Sequence, residues 1–208
     1  MNSARQRLIF ALDVDNLADA RGWVDRLQGQ VGVFKIGKQL FTRCGPEVVR
    51  LVQERGGEVF LDLKYHDIPN TVAMAGLEGL RLGVRMFIVH ALGGFEMMAK
   101  LVAAVDEVCP RGNPDRAILL AVTILTSSTE ETLRPAAIDR PSSDKVPQLA
   151  RLPKDAAMDG VVASPQDEGL TRDVSGDDFL VVTPGVRPAF ASQDDPQRIT
   201  TPADALRS

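Results

Sequence analysis

Val59-Phe60-Leu61-Asp62-Leu63-Lys64-Tyr65-His66-Asp67-Ile68-Pro69-Asn70-Thr71 changes character part-way along. Val59 to Leu61 is a continuous apolar run of the kind carried by a strand covered on both faces. It ends in charge, with Asp62, Lys64 and Asp67 close together, and Pro69 then offers a first helical position. A strand that presents charged side chains at its carboxyl end and hands on to a helix is one unit of an α/β fold. In such folds the chemistry sits at the carboxyl ends of the strands.

Working outward from this unit, similar apolar runs recur at 8–12, 31–36, 85–89, 117–125, 159–163 and 178–183, beside the central one at 58–63. Helical patterns lie between them near 17–28, 45–55, 70–82, 94–108 and 143–157, with a short one near 166–172. Strand then helix, repeated, predicts a parallel sheet with right-handed crossovers. A doubly wound sheet is the competitor, and it should place a glycine-rich loop after its first strand. Here that strand ends Ala11-Leu12-Asp13-Val14-Asp15-Asn16, without glycine. The expectation is therefore a (β/α)8 TIM barrel, in one domain over residues 1–208. Thr201 and Pro202 would start a helix at 202–206, and the eighth strand is missing from the chain as it stands. Seven strands alone would expose two edges and an apolar seam, so the polypeptide is expected to continue beyond Ser208.

A chain of 208 residues suits one sizeable core. Its net charge of -4 gives no basic footprint for nucleic acid. No apolar stretch reaches the length needed to cross a membrane, and Met1 to Arg7 lead directly into the first strand run, so neither a signal peptide nor a membrane location is expected. Cys44 and Cys109 stand apart without metal-site spacing, which suits reduced thiols in a cytoplasmic protein.

Ionisable residues gather at the ends of the first three strands: Asp13, Lys35, then Asp62 and Lys64. Period-two alternation puts Asp62 and Lys64 on one face and Leu63 on the other. Neighbouring parallel strands lie about 4.8 Å apart, so an alternating Asp–Lys–Asp–Lys chain can form. Burying four charges for stability alone is unfavourable, since apolar replacements are often at least as stable. Opposed charges would instead keep Lys64 cationic in a dry site, ready to donate a proton, while Asp62 and Asp67 disfavour a bound carboxylate until it leaves as CO2. A divalent metal on Asp62, Asp67 and a histidine is disfavoured by the competing lysines. His66 and His90 are expected in hydrogen-bonding structural roles. No Gly-x-Ser-x-Gly elbow supports acyl transfer. Val181-Val-Thr-Pro-Gly-Val-Arg-Pro188 places Arg187 after the seventh strand, where barrels often hold phosphate, and the hydroxyl-bearing stretch 122–127 could hydrogen-bond a polar heterocycle.

Together these residues resemble the orotidine 5'-phosphate decarboxylase family. The most specific piece is Asp62-Leu-Lys-Tyr-His-Asp-Ile-Pro-Asn-Thr71, joined by Ala11-Leu12-Asp13, Phe34-Lys35-Ile36-Gly37, Val89-His90-Ala91, Ala121-Val-Thr-Ile-Leu-Thr-Ser127 and Thr183-Pro-Gly-Val-Arg187. The resemblance runs from strand one to residue 206. It implies a homodimeric barrel that decarboxylates orotidine 5'-monophosphate to uridine 5'-monophosphate without cofactor or metal. Lys64 would protonate C6 of the pyrimidine, Asp62 would face the substrate carboxylate, and Lys35 would hold Asp62 and a ribose hydroxyl. Asp13 would contact the ribose, and Asp67, Ile68 and Thr71 would reach into the partner's site. Thr126 would meet the pyrimidine edge, Pro184 would cover the ring, and Arg187 would hold the phosphate.

Magnesium-dependent sugar-phosphate decarboxylases and synthases of the same superfamily share the Asp-x-Lys-x-x-Asp pattern. Their second strand ends in glutamate where Lys35 stands here, and Ile68-Pro69-Asn70-Thr71 also sides with the orotidine enzymes. A non-catalytic barrel that binds a phosphate ligand is the third possibility. Two departures stand out: the family's eighth strand, with its phosphate-binding Gly-Arg pair, is missing, and its phosphate-contacting glutamine falls on Pro196, leaving Gln197 one residue late.

Overall fold

The structure is a computed structural model of the chain, and it describes residues 4–123, 146–163 and 179–186. Seven strands form one sheet in chain order: β1 (Ile9–Ala11), β2 (Val33–Gly37), β3 (Glu58–Tyr65), β4 (Met86–His90), β5 (Ile118–Val122), β6 (Gly160–Val162) and β7 (Leu180–Val182). Every adjacent pair is parallel. The helices are α1 (Leu17–Leu27), α2 (Lys38–Cys44), α3 (Glu47–Gln53), α4 (Pro69–Arg81), α5 (Gly94–Val108) and α6 (Val146–Asp155). Among the described residues this is the (β/α)8 barrel architecture without a closing strand, with β1 and β7 as the two sheet edges.

Alternation along the strands sorts the side chains into two cores. Ile9, Val33, Phe60, Ile88, Leu120, Val162 and Leu180 come from all seven strands and pack on one another, which requires the sheet to curl around them. The intervening residues, among them Leu12, Phe34, Ile36, Leu61, Phe87 and Leu119, face the helices in the larger core. Continuing the inward set toward the carboxyl ends leads from Val33 to Lys35 and from Phe60 to Asp62. The same faces that are apolar in the middle of the sheet become ionic at its mouth.

Local chemistry sets the element ends. The Asn16 side chain caps α1 by accepting the Asp19 N–H at 3.0 Å. Pro69 occupies the first turn of α4, as its missing N–H allows. The helix expected over 45–55 is α3, and a further helix that sequence reading did not foresee, α2, precedes it. Gly45, at φ 58°, closes α2 by donating its N–H to the Phe41 carbonyl, and Pro46 cannot continue the ladder. The segments near 166–172 and 201–206 lie outside the described residues.

The opposite end of the sheet carries an ion-pair network. Arg116, with a side chain only 7% exposed, donates to Asp106 and Asp159 at 2.7 Å each, and Asp159 also accepts the Leu119 N–H at 2.8 Å. Arg111 adds bonds to Asp159 and to the Ala157 carbonyl, fastening the turn that leads into β6.

Candidate active site

The carboxyl ends of β1, β2 and β3 bring Asp13, Lys35, Asp62 and Lys64 together in the alternating order expected. The Lys35 ammonium lies 3.5 Å from Asp13 Oδ1 and 3.5 Å from Asp62 Oδ2. Lys64 Nζ donates to Asp62 Oδ1 at 2.6 Å. Asp62 is the buried member, its side chain 10% exposed, whereas those of Lys35 and Lys64 are about a quarter exposed and that of Asp13 largely open. Each Asp62 oxygen faces a lysine, so the buried carboxylate has an opposite charge on both sides.

These groups line a cleft of about 380 Å³ with Leu12, Lys38 and Gln39. Sequence reading passed over Lys38 and Gln39. Their signal was their position immediately after the end of β2, where a βα loop opens onto the barrel mouth. Asp15 Oδ1 accepts from the Gln39 side chain at 2.6 Å, which ties the loop after β1 to the start of α2.

Lys64 is held in an unusual backbone conformation. Its φ is 51°, in the left-handed region, where an L-residue with a Cβ costs roughly 1–2 kcal/mol. The pairing of β3 with β4 shows the cause. Leu61 pairs with Phe87 and the ladder next registers at Tyr65 with Val89, so β3 uses more residues than β4 over the same span. The bulge keeps Leu63 and Tyr65 on the helix side and sends Lys64 to the mouth beside Asp62. Tyr65 stacks on Phe87 with ring centroids 4.8 Å apart and an interplanar angle of 11°. Burial pushes its phenol above the ordinary 10.0 and keeps it neutral.

His90 ends β4 with its ring centroid 5.7 Å from that of His66. The expected structural hydrogen bonding fails at one atom: His90 Nδ1 is buried and has no partner among the described residues. Burial lowers the His90 pKa, and the nearby His66, Lys38 and Lys64 lower it further against the opposing pull of Asp62. The imidazole is therefore held neutral beside the lysines.

Asp67, Ile68 and Thr71 do not line this cleft. All three are exposed at the start of α4, and the Asp67 carboxylate accepts the Ile68 N–H at 2.7 Å. Ile68, Met74, Leu92 and Phe95 are exposed apolar side chains on and around the first turns of α4 and α5. Pro184 follows β7 and is half-buried. Thr126, Arg187 and Gln197 lie outside the described residues.

The fold and the ionic mouth define a parallel-barrel protein with an acid–lysine site at the carboxyl ends of its strands. Comparison gives the class a family: the family model for "Orotidine 5'-phosphate decarboxylase / HUMPS family" matches residues 6–208, and the chain belongs to that family. The orotidine 5'-phosphate decarboxylase of Syntrophotalea carbinolica is 62% identical over 203 residues, covering 98% of this chain and 83% of that protein. The enzyme of the same name from Geotalea daltonii is 58% identical over 207 residues, covering 100% of this chain and 86% of that one. Among solved structures, orotidine 5'-phosphate decarboxylase from Lactobacillus acidophilus aligns with a TM-score of 0.78 and 38% identity, over 88% of this chain and 82% of that chain.

Proposed function

We propose that this protein is a lyase that decarboxylates orotidine 5'-monophosphate to uridine 5'-monophosphate in pyrimidine biosynthesis. Membership of the family and the identity to relatives bearing that activity support the reaction. The observation that carries it at the level of chemistry is the Asp13–Lys35–Asp62–Lys64 chain in one cleft.

In this reading the substrate carboxylate lies against Asp62. Two carboxylates in a partly dry cleft repel, and the repulsion is relieved as CO2 leaves. The electron pair left at C6 develops beside the Lys64 ammonium, which stabilises it and then donates its proton. Asp62, by pairing with both lysines, keeps Lys64 aimed. Lys35 and Asp13 hold the ribose, Thr126 meets the pyrimidine edge, Pro184 covers the ring, and Arg187 with Gln197 receives the phosphate. Asp67, Ile68 and Thr71 of one protomer complete the site of the other in a homodimer, a role suited to their exposure beside the apolar side chains of Ile68, Met74, Leu92 and Phe95. The chain belongs to a single barrel domain and acts in the cytoplasm without cofactor.

The family description also covers a second branch, the magnesium-dependent sugar-phosphate enzymes. Lys35 favours the orotidine reading, because its ammonium stands 3.5 Å from both Asp13 and Asp62 and would compete with a cation for those oxygens. The test is formation of uridine 5'-monophosphate from orotidine 5'-monophosphate in excess chelator, with Lys64→Ala alongside. Conversion by the unmodified chain and its loss in the variant are expected. No conversion of orotidine 5'-monophosphate, together with magnesium-dependent loss of CO2 from 3-keto-L-gulonate 6-phosphate, would instead favour the sugar-phosphate branch.

A further inference from the structure

We propose that Tyr65 is a positioning residue for the reaction, acting as the clamp that holds Lys64 in its left-handed conformation. The inference rests on the reading of Lys64 as proton donor, but the geometry behind it is independent of substrate. A bulge in a strand has no register of its own and needs an anchor on each side. On the near side the anchor is Leu61, paired with Phe87 and buried in the helix-side core. On the far side it is Tyr65, paired with Val89 and stacked on the same Phe87 ring. Phe87 thus touches β3 on both sides of the bulge, and Lys64, at φ 51°, lies between the two anchors.

Strained backbone persists only where its surroundings over-determine it. The Lys64–Asp62 bond alone is a poor guarantor, because a lysine has a long flexible stem and could reach Asp62 from other backbone conformations. The stacked ring is the rigid element. Without it, the residues after Leu63 are free to re-register on β4 and Lys64 can return to ordinary β conformation, turning its ammonium away from the nascent carbanion. The Tyr65 phenol stays neutral, so the clamp depends on the ring and not on ionisation.

Two variants of the full chain test this. Tyr65→Phe should retain kcat within about twofold of the parent. Tyr65→Leu should lower kcat at least tenfold per folded molecule, with the affinity for uridine 5'-monophosphate changed less than threefold, because product binding does not use the aim of Lys64. Crystal structures of both variants give a readout independent of turnover. Lys64 should keep positive φ in Tyr65→Phe and lose it in Tyr65→Leu. Positive φ and an intact Lys64–Asp62 bond in Tyr65→Leu would overturn the clamp whatever the activity, as would unchanged kcat in that variant. Failure of the parent chain to convert substrate would overturn the assigned reaction, and the Lys64 conformation in the variants would still decide whether Tyr65 is a clamp.

Discussion

At the scale of single residues, the mouth of the barrel is organised by which groups can remain charged beside one another. Asp62 lies between two ammonium groups, and His90 gives up its charge because burial and the neighbouring His66, Lys38 and Lys64 all oppose it. The consequence for stability has a definite sign. A histidine whose folded-state pKa lies below its unfolded value of about 6.5 binds protons more readily in the unfolded chain. Unfolding is then favoured progressively as pH falls below about 6.5, until the folded-state histidine protonates too. Above that range the neutral imidazole brings no penalty. His90→Asn should therefore flatten the fall of Tm between pH 7 and pH 5 relative to the parent, as followed by thermal melts across that range. An equal fall in both proteins would remove His90 as the source.

At the scale of elements, the sheet tolerates a bulge at β3 but leaves no room at β6. A Cβ added to Gly160 would fall on the Leu180 carbonyl oxygen of β7 and crowd Leu180 Cβ and a Leu120 methyl. A carbonyl in a ladder cannot step aside as a side-chain end can, so Gly160→Ala must push β7 away from β6. We expect a loss of about 1–3 kcal/mol, the usual range for overpacking, seen as a lower denaturant midpoint. The strand–helix order was legible because each apolar run and each amphipathic stretch declares itself over a few neighbouring residues. Helix α2 escaped sequence reading because its seven residues follow β2 directly and are cut off by Gly45 and Pro46, too short a span for helical periodicity to declare itself. The bulge at Lys64 left no sequence signal, since neither glycine nor asparagine marks the positive φ.

At the scale of the whole molecule, the exposed face around the starts of α4 and α5 is where the proposed homodimer would join catalysis to assembly. Ile68 is 66% exposed and Phe95 47%, a poor arrangement for an isolated surface and a suitable one for covering by a second copy. If Asp67 and Thr71 complete the partner's site, activity per chain must fall when the dimer dissociates. Phe95→Asp should shift the protein to monomer in light scattering at micromolar concentration and reduce kcat/KM by at least tenfold. A monomeric variant with full activity would show that each cleft is complete in its own chain.

Local sequence by itself determined the parallel strand–helix alternation, the charged strand ends and the placement of Asp62 and Lys64 on one face. Each depends on periodicity and on residues that are close along the chain. Only the tertiary structure decided that His90 faces His66, that Lys38 joins the cleft and that Lys64 adopts a left-handed backbone. Those outcomes follow from how β2, β3 and β4 register against one another. Register is a cooperative property of packed strands, and no short stretch of the sequence contains it.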